Sequence, residues 1–294
     1  MSGAADEGEL LQVQASDGHR FALRRFAAAS TDAPALLFMP AMGTRARFYA
    51  GFGAAMAAAG VSVAVADWRG IDSSSVRASR TRNFGYRQLL EDDLPAAVQA
   101  LRERMPDRAL WIGGHSLGGQ LGACYAARLP DTVAGLVMIA SGNVYFRGWQ
   151  GMGALRILGL TQAATVIATV LGHFPGRRLG FAGQEARGVI RDWSRVALTG
   201  RYRVPGSSFD YEAGMARLRK AVLALGFSGD GLAPARATEF LVGKLKQCAV
   251  TLWRWTAADS DGHALDHFSW ARQPDCVAPR VAAWILHQHT GARS

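Results

Sequence analysis

The chain alternates short apolar runs with helical patterns along most of its 294 residues. The apolar runs are rich in β-branched side chains and bounded by turn residues, which is typical of strands. Most of them are apolar throughout, as strands are when helices cover both faces of a parallel sheet. The pattern therefore predicts an α/β fold with a mostly parallel sheet of eight strands flanked by helices. The predicted strands are LLQVQA, FALRRFA, ALLFMP (35–40), VSVAVAD (61–67), ALWIGG (109–114), VAGLVMIA (133–140), KAVLALGF (220–227) and AVTLWRW (249–255), and the predicted helices lie near 47–59, 86–105, 117–128, 234–246 and 277–289.

The alternation is interrupted between Ala140 and Lys220. These roughly 80 residues contain helical segments and many Gly and Arg residues but no convincing strand, and they are too many for an ordinary loop. We predict a helical lid at residues 143–218, inserted after the sixth strand. The two flanking segments, residues 1–142 and 219–294, would form one core.

The stretch GGHSLGG at 113–119 joins a predicted buried strand to a predicted helix. Its centre, Gly114-His115-Ser116-Leu117-Gly118, fits G-x-S-x-G, the pattern of a tight strand-to-helix turn that exposes a nucleophilic serine. The helix N-terminus beneath the serine would let the Leu117 N–H stabilise an oxyanion. A serine that merely caps the helix is the structural alternative. We predict that Ser116 is a nucleophile.

The chain also contains DWRGIDSS (67–74), FSGDGLAP (227–234) and DHFSW (266–270). Together with the serine motif, these segments resemble the α/β-hydrolase superfamily. With SGNVYFRGW (141–149) and FPGRRLGF (174–181), the set is similar to a bacterial group of predicted hydrolases related to serine aminopeptidases and monoacylglycerol lipases. The resemblance covers almost the whole chain. It implies the α/β-hydrolase fold and a serine-hydrolase mechanism, and it leaves the substrate undefined.

A catalytic serine needs a histidine base, and the histidine needs a carboxylate that holds its tautomer. In this superfamily the chain order is serine, acid, histidine. Asp230 follows a predicted strand and opens GDGLAPA, which matches the acid loop of the family; Asp210, inside the predicted lid, is less favoured. His267 is followed by Phe as in the family, and His263 is the alternative in the same loop. The predicted catalytic triad is Ser116, Asp230 and His267.

The second oxyanion donor is expected in the loop after the strand ALLFMP. The sequence there is Met39-Pro40-Ala41-Met42-Gly43, where many relatives have His-Gly-X-Gly. Alignment on the strand end and on Gly43 puts Ala41 at the donor position, and a shift of one residue would give Met42. We therefore predict an oxyanion hole formed by the Ala41 and Leu117 amides.

Two further predictions concern neighbours of the site. By family analogy, His115 lines the pocket and points away from the serine hydroxyl. The turn Asp67-Trp68-Arg69-Gly70 is expected to hold a structural arginine–aspartate network and no catalytic group.

Composition limits the partners of the chain. The formal net charge is +10, but arginine is spread over almost every segment, and no basic-aromatic nucleic-acid motif is present. The His and Cys residues lack metal-ligand spacing, and no phosphate-loop or dinucleotide-binding pattern follows a strand. The sequence thus predicts no nucleic-acid partner, no metal and no cofactor, and it leaves self-association into a homo-oligomer open.

Two features predict a cytoplasmic location. The three widely spaced cysteines read as free thiols, and the acidic start MSGAADEGEL lacks the order of a secretory signal. The apolar stretch 151–172 contains Arg156, several Thr and many Gly residues, so we expect apolar cover over a pocket and no stable membrane insertion.

The predicted function is hydrolysis of a carboxylic ester or thioester through an acyl-enzyme on Ser116. Apolar residues in the predicted lid favour a lipophilic small-molecule acyl substrate, although the same residues would also serve to pack the lid on the body. The alternatives are an acyltransferase or thioesterase acting on an acyl-coenzyme A or acyl-carrier substrate, and a non-catalytic binding protein on a hydrolase fold.

Overall fold

A computed structural model describes residues 8–291 of the chain. The strands are β1 (Glu9–Gln14), β2 (Arg20–Phe26), β3 (Ala35–Met39), β4 (Ser62–Ala66), β5 (Leu110–His115), β6 (Gly135–Ile139), β7 (His173–Pro175), β8 (Gln184–Ala186), β9 (Ala221–Phe227) and β10 (Ala249–Trp255). All but β7 and β8 form one sheet of eight strands in the order β1-β2-β4-β3-β5-β6-β9-β10. β1 and β2 pair antiparallel, as do β2 and β4, and every other neighbouring pair is parallel. All eight strands lie where the apolar runs predicted them.

Helices cover both faces of this sheet, so the predicted α/β class is confirmed. A π-helical turn, Leu89–Asp93, joins α2 to α3, and a 3₁₀ turn, Ala46–Tyr49, precedes α1. The helices are α1 (Ala50–Ala58), α2 (Tyr86–Gln88), α3 (Leu94–Arg104), α4 (Leu117–Arg128), α5 (Met152–Leu171), α6 (Gly176–Leu179), α7 (Arg187–Thr199), α8 (Tyr211–Arg217), α9 (Ala235–Val242), α10 (Ser269–Arg272) and α11 (Pro274–Gly291).

The central strands are buried on both faces, which is why they are apolar throughout. In β3 every residue is buried, and alternate side chains enter opposite layers of the core. Leu36 and Phe38 pack in the layer that contains α1 and α11. Leu37 and Met39 pack in the layer that contains α3, α4 and α8. Both faces are therefore unavailable to a ligand, and a site has to lie at an end of the strands.

The insertion between β6 and β9 is mostly helical and contains α5 to α8. It also contains a short antiparallel ribbon of β7 and β8. The prediction of no strand in this region was therefore wrong, because three-residue strands are too short to produce a recognisable hydrophobic pattern. Within the insertion, α5 packs along α7, with Ala164, Ala168 and Ile190 in a small core of their own.

Helix α5 is the one helix of the described residues that is long and apolar enough to cross a membrane, by length and composition only. It has 20 residues, a mean hydropathy of 1.6 over its most apolar window, and 17% of that window buried. One such helix is weak evidence for a span. The expectation of no stable membrane insertion therefore stays a prediction.

Candidate active site

Ser116 lies in a tight turn between β5 and α4, at the carboxyl edge of the sheet. Its backbone has φ 53° and ψ −113°, a conformation that non-glycine residues rarely adopt. Its N–H donates to the Ile139 carbonyl at 3.1 Å, which ties the turn to β6. A Cβ on Gly118 would lie 1.9 Å from the Met39 carbonyl oxygen, so only glycine fits there. The tight strand-to-helix turn predicted from G-x-S-x-G is thus present.

Asp230 and His267 are joined by a hydrogen bond of 2.8 Å between Asp230 Oδ2 and His267 Nδ1. Asp230 follows β9 and is buried, and His267 follows β10 and is almost buried. The other carboxylate oxygen of Asp230 accepts hydrogen bonds from the Leu232 and Ala233 amides, both at 2.8 Å. These amides fix the carboxylate and leave Oδ2 to the imidazole. The arrangement can hold His267 with its Nε2 available for proton transfer.

The alternative residues lie elsewhere. His263 is exposed, and its backbone hydrogen bonds are made with Ser260. Asp210 is exposed and caps α8 by accepting from the Ala213 N–H at 3.0 Å. Of the candidates, the structure brings together Asp230 and His267.

A cavity of about 250 Å³ is lined by all the predicted site residues except Asp230. Ser116 and His267 both line it, and they make no direct hydrogen bond in the described chain. Catalytic hydrogen bonds are often long before substrate binds. The rest of the wall is mainly apolar, and much of it comes from the insertion. These apolar residues are Met42, Val144, Trp149, Ile157, Leu160, Phe181, Trp193, Leu232 and Phe268.

The oxyanion donors require a correction. Leu117 is the first residue of α4 and lines the cavity, and the first amides of a helix have no intrahelical partner. The Ala41 N–H, however, donates to the Tyr49 hydroxyl at 3.0 Å, inside the core. It is therefore directed away from the cavity, and the prediction of Ala41 as the second donor is not supported.

Met42 provides the more suitable amide. Its N–H has no hydrogen-bond partner among the described residues, and Met42 lines the cavity. The Thr44 N–H donates to the Ala41 carbonyl at 3.1 Å, and Gly43 has φ +70°, as the third residue of a type II turn does. A Cβ on Gly43 would also lie 2.0 Å from the Gly183 nitrogen, so the insertion presses directly on this turn.

Comparison with known proteins decides the family. The sequence model of the family described as alpha/beta hydrolase fold matches residues 34–254. The chain belongs to this family. The predictions of the superfamily, the fold and an α/β hydrolase are thereby confirmed. The match includes Ser116 and Asp230 and ends before His267, so the place of the histidine rests on the geometry described above.

Individual relatives of this α/β hydrolase are more distant. A segment of 73 residues is 37% identical to the pimeloyl-[acyl-carrier protein] methyl ester esterase of Shewanella woodyi. That segment is 24% of this chain and spans 28% of the length of the relative.

Solved structures of an esterase and of a lipase share the fold. Est1E from Butyrivibrio proteoclasticus, solved with bound ferulic acid, has a TM-score of 0.64 at 15% identity and covers 95% of this chain and 99% of its own. The monoacylglycerol lipase of Paleococcus ferrophilus has a TM-score of 0.60 at 15% identity, with coverage of 91% and 99%. At this identity the likeness concerns the fold alone.

Three buried residues near the site of this hydrolase were missed or misread. Tyr49 was not predicted at all, because nothing in a local pattern shows which hydroxyl meets a loop amide. His115 is completely buried and does not line the cavity, contrary to the analogy; its Nδ1 lies 2.8 Å from the Tyr49 hydroxyl. Gln120, one turn into α4, is buried, lines the cavity and accepts a hydrogen bond from Tyr202 at 3.1 Å. The sequence did carry a signal for Gln120: four residues after Ser116 is about one helical turn, so its side chain lies on the same side of α4 as the serine.

The Asp67–Gly70 turn of the hydrolase is held by hydrogen bonds and ion pairs. Asp67 accepts from the Ala46 N–H at 2.7 Å, while Arg69 pairs with Asp93 at 2.6 Å and also with Asp17. Arg69 thus forms an arginine–aspartate network with Asp93 and Asp17, while Asp67 of the same turn bonds to other partners.

Proposed function

We propose that this α/β hydrolase is a serine esterase for lipophilic carboxylic esters. The observation that carries the proposal is the Asp230–His267 hydrogen bond of 2.8 Å at the cavity that Ser116 also lines. A buried acid, a histidine and a strained serine at one edge of the sheet are the groups that acyl transfer through an acyl-enzyme requires.

In the proposed acylation step, His267 Nε2 accepts the hydroxyl proton as Ser116 Oγ attacks the ester carbonyl carbon. Asp230 stabilises the resulting imidazolium through Nδ1. The Leu117 and Met42 amides would hold the oxyanion, aided by the positive end of the α4 dipole. The tetrahedral intermediate then collapses, and the alcohol leaves with the proton from His267.

In deacylation, His267 takes a proton from water as the water oxygen attacks the acyl carbon, and it returns that proton to Ser116 Oγ as the bond to the acyl group breaks and the acid leaves. A thioester would pass through the same acyl-enzyme with a thiol as leaving group. Acylation and deacylation thus use side chains and backbone amides of this chain, together with water.

The cavity indicates the substrate class. Its walls are mainly apolar, and about 250 Å³ is just below the roughly 300–1,000 Å³ of pockets for drug-sized ligands. Beyond the catalytic groups, Gln120 is the polar side chain on this wall, and its amide would bind one polar atom of the substrate. We propose that the insertion acts as the predicted lid, because Trp149, Ile157 and Phe181 cover the cavity.

Two further observations favour this proposal. The partially matching relative is named as an esterase of an acyl-carrier-protein methyl ester, which is consistent with cleavage of a small alkyl ester. The three cysteines are free thiols, as expected for the proposed cytoplasmic location.

The test combines active-site labelling with turnover. Wild type and Ser116→Ala are exposed to a fluorophosphonate, analysed by intact mass, and assayed with p-nitrophenyl esters of increasing chain length. We expect labelling of wild type only, and loss of about three or more orders of magnitude in kcat for Ser116→Ala. Labelling without turnover of any ester would favour the predicted acyl transfer instead, and an unlabelled, inactive wild type would favour a binding protein.

A further inference from the structure

One face of α5 exposes a row of large apolar side chains. Its members lie on the side of the helix away from α7, and between 39% and 65% of each is exposed. Contiguous apolar surfaces of this kind mark interaction sites, whereas scattered apolar residues do not. We call this surface the outer face; it consists of Met152, Leu155, Leu160, Val166, Val170 and Leu171.

The opposite side of α5 is firmly attached to the protein. Thr161, Ala164 and Ala168 are buried, and the Gln162 side-chain amide donates to the Ser194 hydroxyl of α7 at 2.8 Å. A helix that crossed a membrane would have to give up these contacts. The attachment therefore favours a helix that lies on an apolar surface while its inner side stays packed.

The segment that carries the outer face is basic. Arg156 lies on the exposed side of α5 between Leu155 and Leu160, and the Arg191 guanidinium donates to the Thr169 hydroxyl of α5 at 3.4 Å. Residues 143–191 contain six arginines and a single acidic residue, Glu185, which is buried with 4% of its surface exposed. The exposed arginines form no ion pair with a carboxylate in the described part of the chain. Positive charge of this kind attracts anions. These exposed residues are Arg147, Arg156, Arg177, Arg178 and Arg191.

We propose that the outer face adsorbs to the surface of an anionic lipid bilayer. Its apolar side chains would enter the interfacial region, and the arginines would bind lipid phosphates. A second copy of the chain is the less suitable occupant, because it would bring like charges together. Leu160 belongs to the outer face and also lines the cavity, so adsorption would place the cavity mouth against the lipid.

Vesicle co-sedimentation tests the proposal separately from the proposed esterase activity, because Ser116→Ala is used alongside wild type. Both proteins are mixed with phosphatidylcholine vesicles or with mixed phosphatidylcholine–phosphatidylglycerol vesicles, at low and at high NaCl. We expect both proteins to sediment with the anionic vesicles, and the affinity to fall at high salt as the Debye length shortens. Failure of the esterase proposal would leave this result unchanged.

Variants identify the surface. Leu155→Glu and Val166→Glu should each weaken anionic-vesicle binding by about tenfold, because each places a carboxylate at the interface. Leu252→Glu is the matched control, since Leu252 is 44% exposed but lies on β10. Arg177→Gln with Arg178→Gln should reduce the salt dependence. The control is Arg217→Gln with Arg219→Gln, an exposed pair just before β9 at the opposite edge of the sheet. This double variant should leave the salt dependence of vesicle binding unchanged.

Three results would overturn the proposal. Wild type that remains in the supernatant with anionic vesicles would do so, as would equal binding to neutral and anionic vesicles. A wild-type dimer in light scattering that Val166→Glu converts to a monomer would assign the outer face to self-association instead. Circular dichroism and thermal unfolding of each variant confirm that lost binding reflects the surface and not the fold.

Discussion

The Ala41 amide donates a hydrogen bond of 3.0 Å to the Tyr49 hydroxyl, and this contact selects the oxyanion donor. The hydroxyl also lies 2.8 Å from His115 Nδ1. A hydroxyl has one proton and two lone pairs, so it can accept from the amide and also bond to Nδ1. Burial, and secondarily His267, hold the pKa of His115 well below its usual range, so this ring is neutral. One buried hydroxyl thus connects the loop after β3 to the turn of Ser116.

Tyr49→Phe should reduce both stability and turnover. It leaves the Ala41 N–H and His115 Nδ1 without partners in the core, which costs about 1–3 kcal/mol. Without this anchor the loop after β3, which carries the proposed Met42 donor, should be less well positioned. We therefore expect kcat to fall about tenfold with little change in KM, since oxyanion donors act in the transition state. Denaturant unfolding and steady-state kinetics measure the two effects.

Tyr125→Phe is the matched control for this prediction. Tyr125 is equally buried, but its hydroxyl accepts from Thr132, away from the cavity. We expect kcat to be unchanged. A Tyr49→Phe protein that loses stability while keeping full kcat would limit Tyr49 to packing.

Met42→Pro should remove the proposed second oxyanion donor with limited damage to the turn. Proline has no N–H, and it is favoured at the second position of a type II turn. We expect kcat to fall by about 100- to 1,000-fold. Met42→Leu, which keeps the amide and an apolar wall, should retain most of the activity. If Met42→Pro is folded and fully active, the donor lies elsewhere.

His267→Ala should lower kcat by about three orders of magnitude or more, because it removes the proposed general base. His263→Ala should have little effect, since His263 is exposed and makes no contact with Asp230. Single-turnover kinetics with a p-nitrophenyl ester report both. The reverse pattern would move the base to His263.

Glu185→Gln should change how stability depends on pH. Burial raises the pKa of Glu185 to about 7, even though the Gly183 N–H donates to it at 3.1 Å. The unfolded chain loses this proton near pH 4.5, so the contribution of the neutral carboxyl to stability is lost as pH rises from about 4.5 to 7. The loss is on the order of 3 kcal/mol.

Unfolding by denaturant between about pH 5 and pH 8 measures this difference. The stability of Glu185→Gln relative to wild type should increase across that range. Glu239→Gln, at a well-exposed position, should show no such trend. Parallel pH curves for wild type and Glu185→Gln would show that the buried carboxyl does not titrate in this range.

The sequence by itself determined the sheet, the turn and the chain positions of the proposed triad. Strands such as β3 and β9 are recognisable because a strand covered on both faces has to be apolar throughout. Ser116 was identifiable because its strained turn requires glycine two residues before and two residues after it, at Gly114 and Gly118. Asp230 and His267 could be named from their loops and their resemblance to a family, but their contact is visible only in the folded chain.

Tertiary structure decided the features that depend on contacts between distant segments. The choice between Ala41 and Met42 turned on a hydroxyl that comes from the 3₁₀ turn before α1. The ribbon of β7 and β8 forms because two three-residue segments meet, and neither has a pattern of its own. The apolar residues of α5 were equally compatible with packing inward or facing outward. Local sequence specifies propensity and burial, whereas hydrogen-bond partners and exposed faces depend on which surfaces the fold brings together.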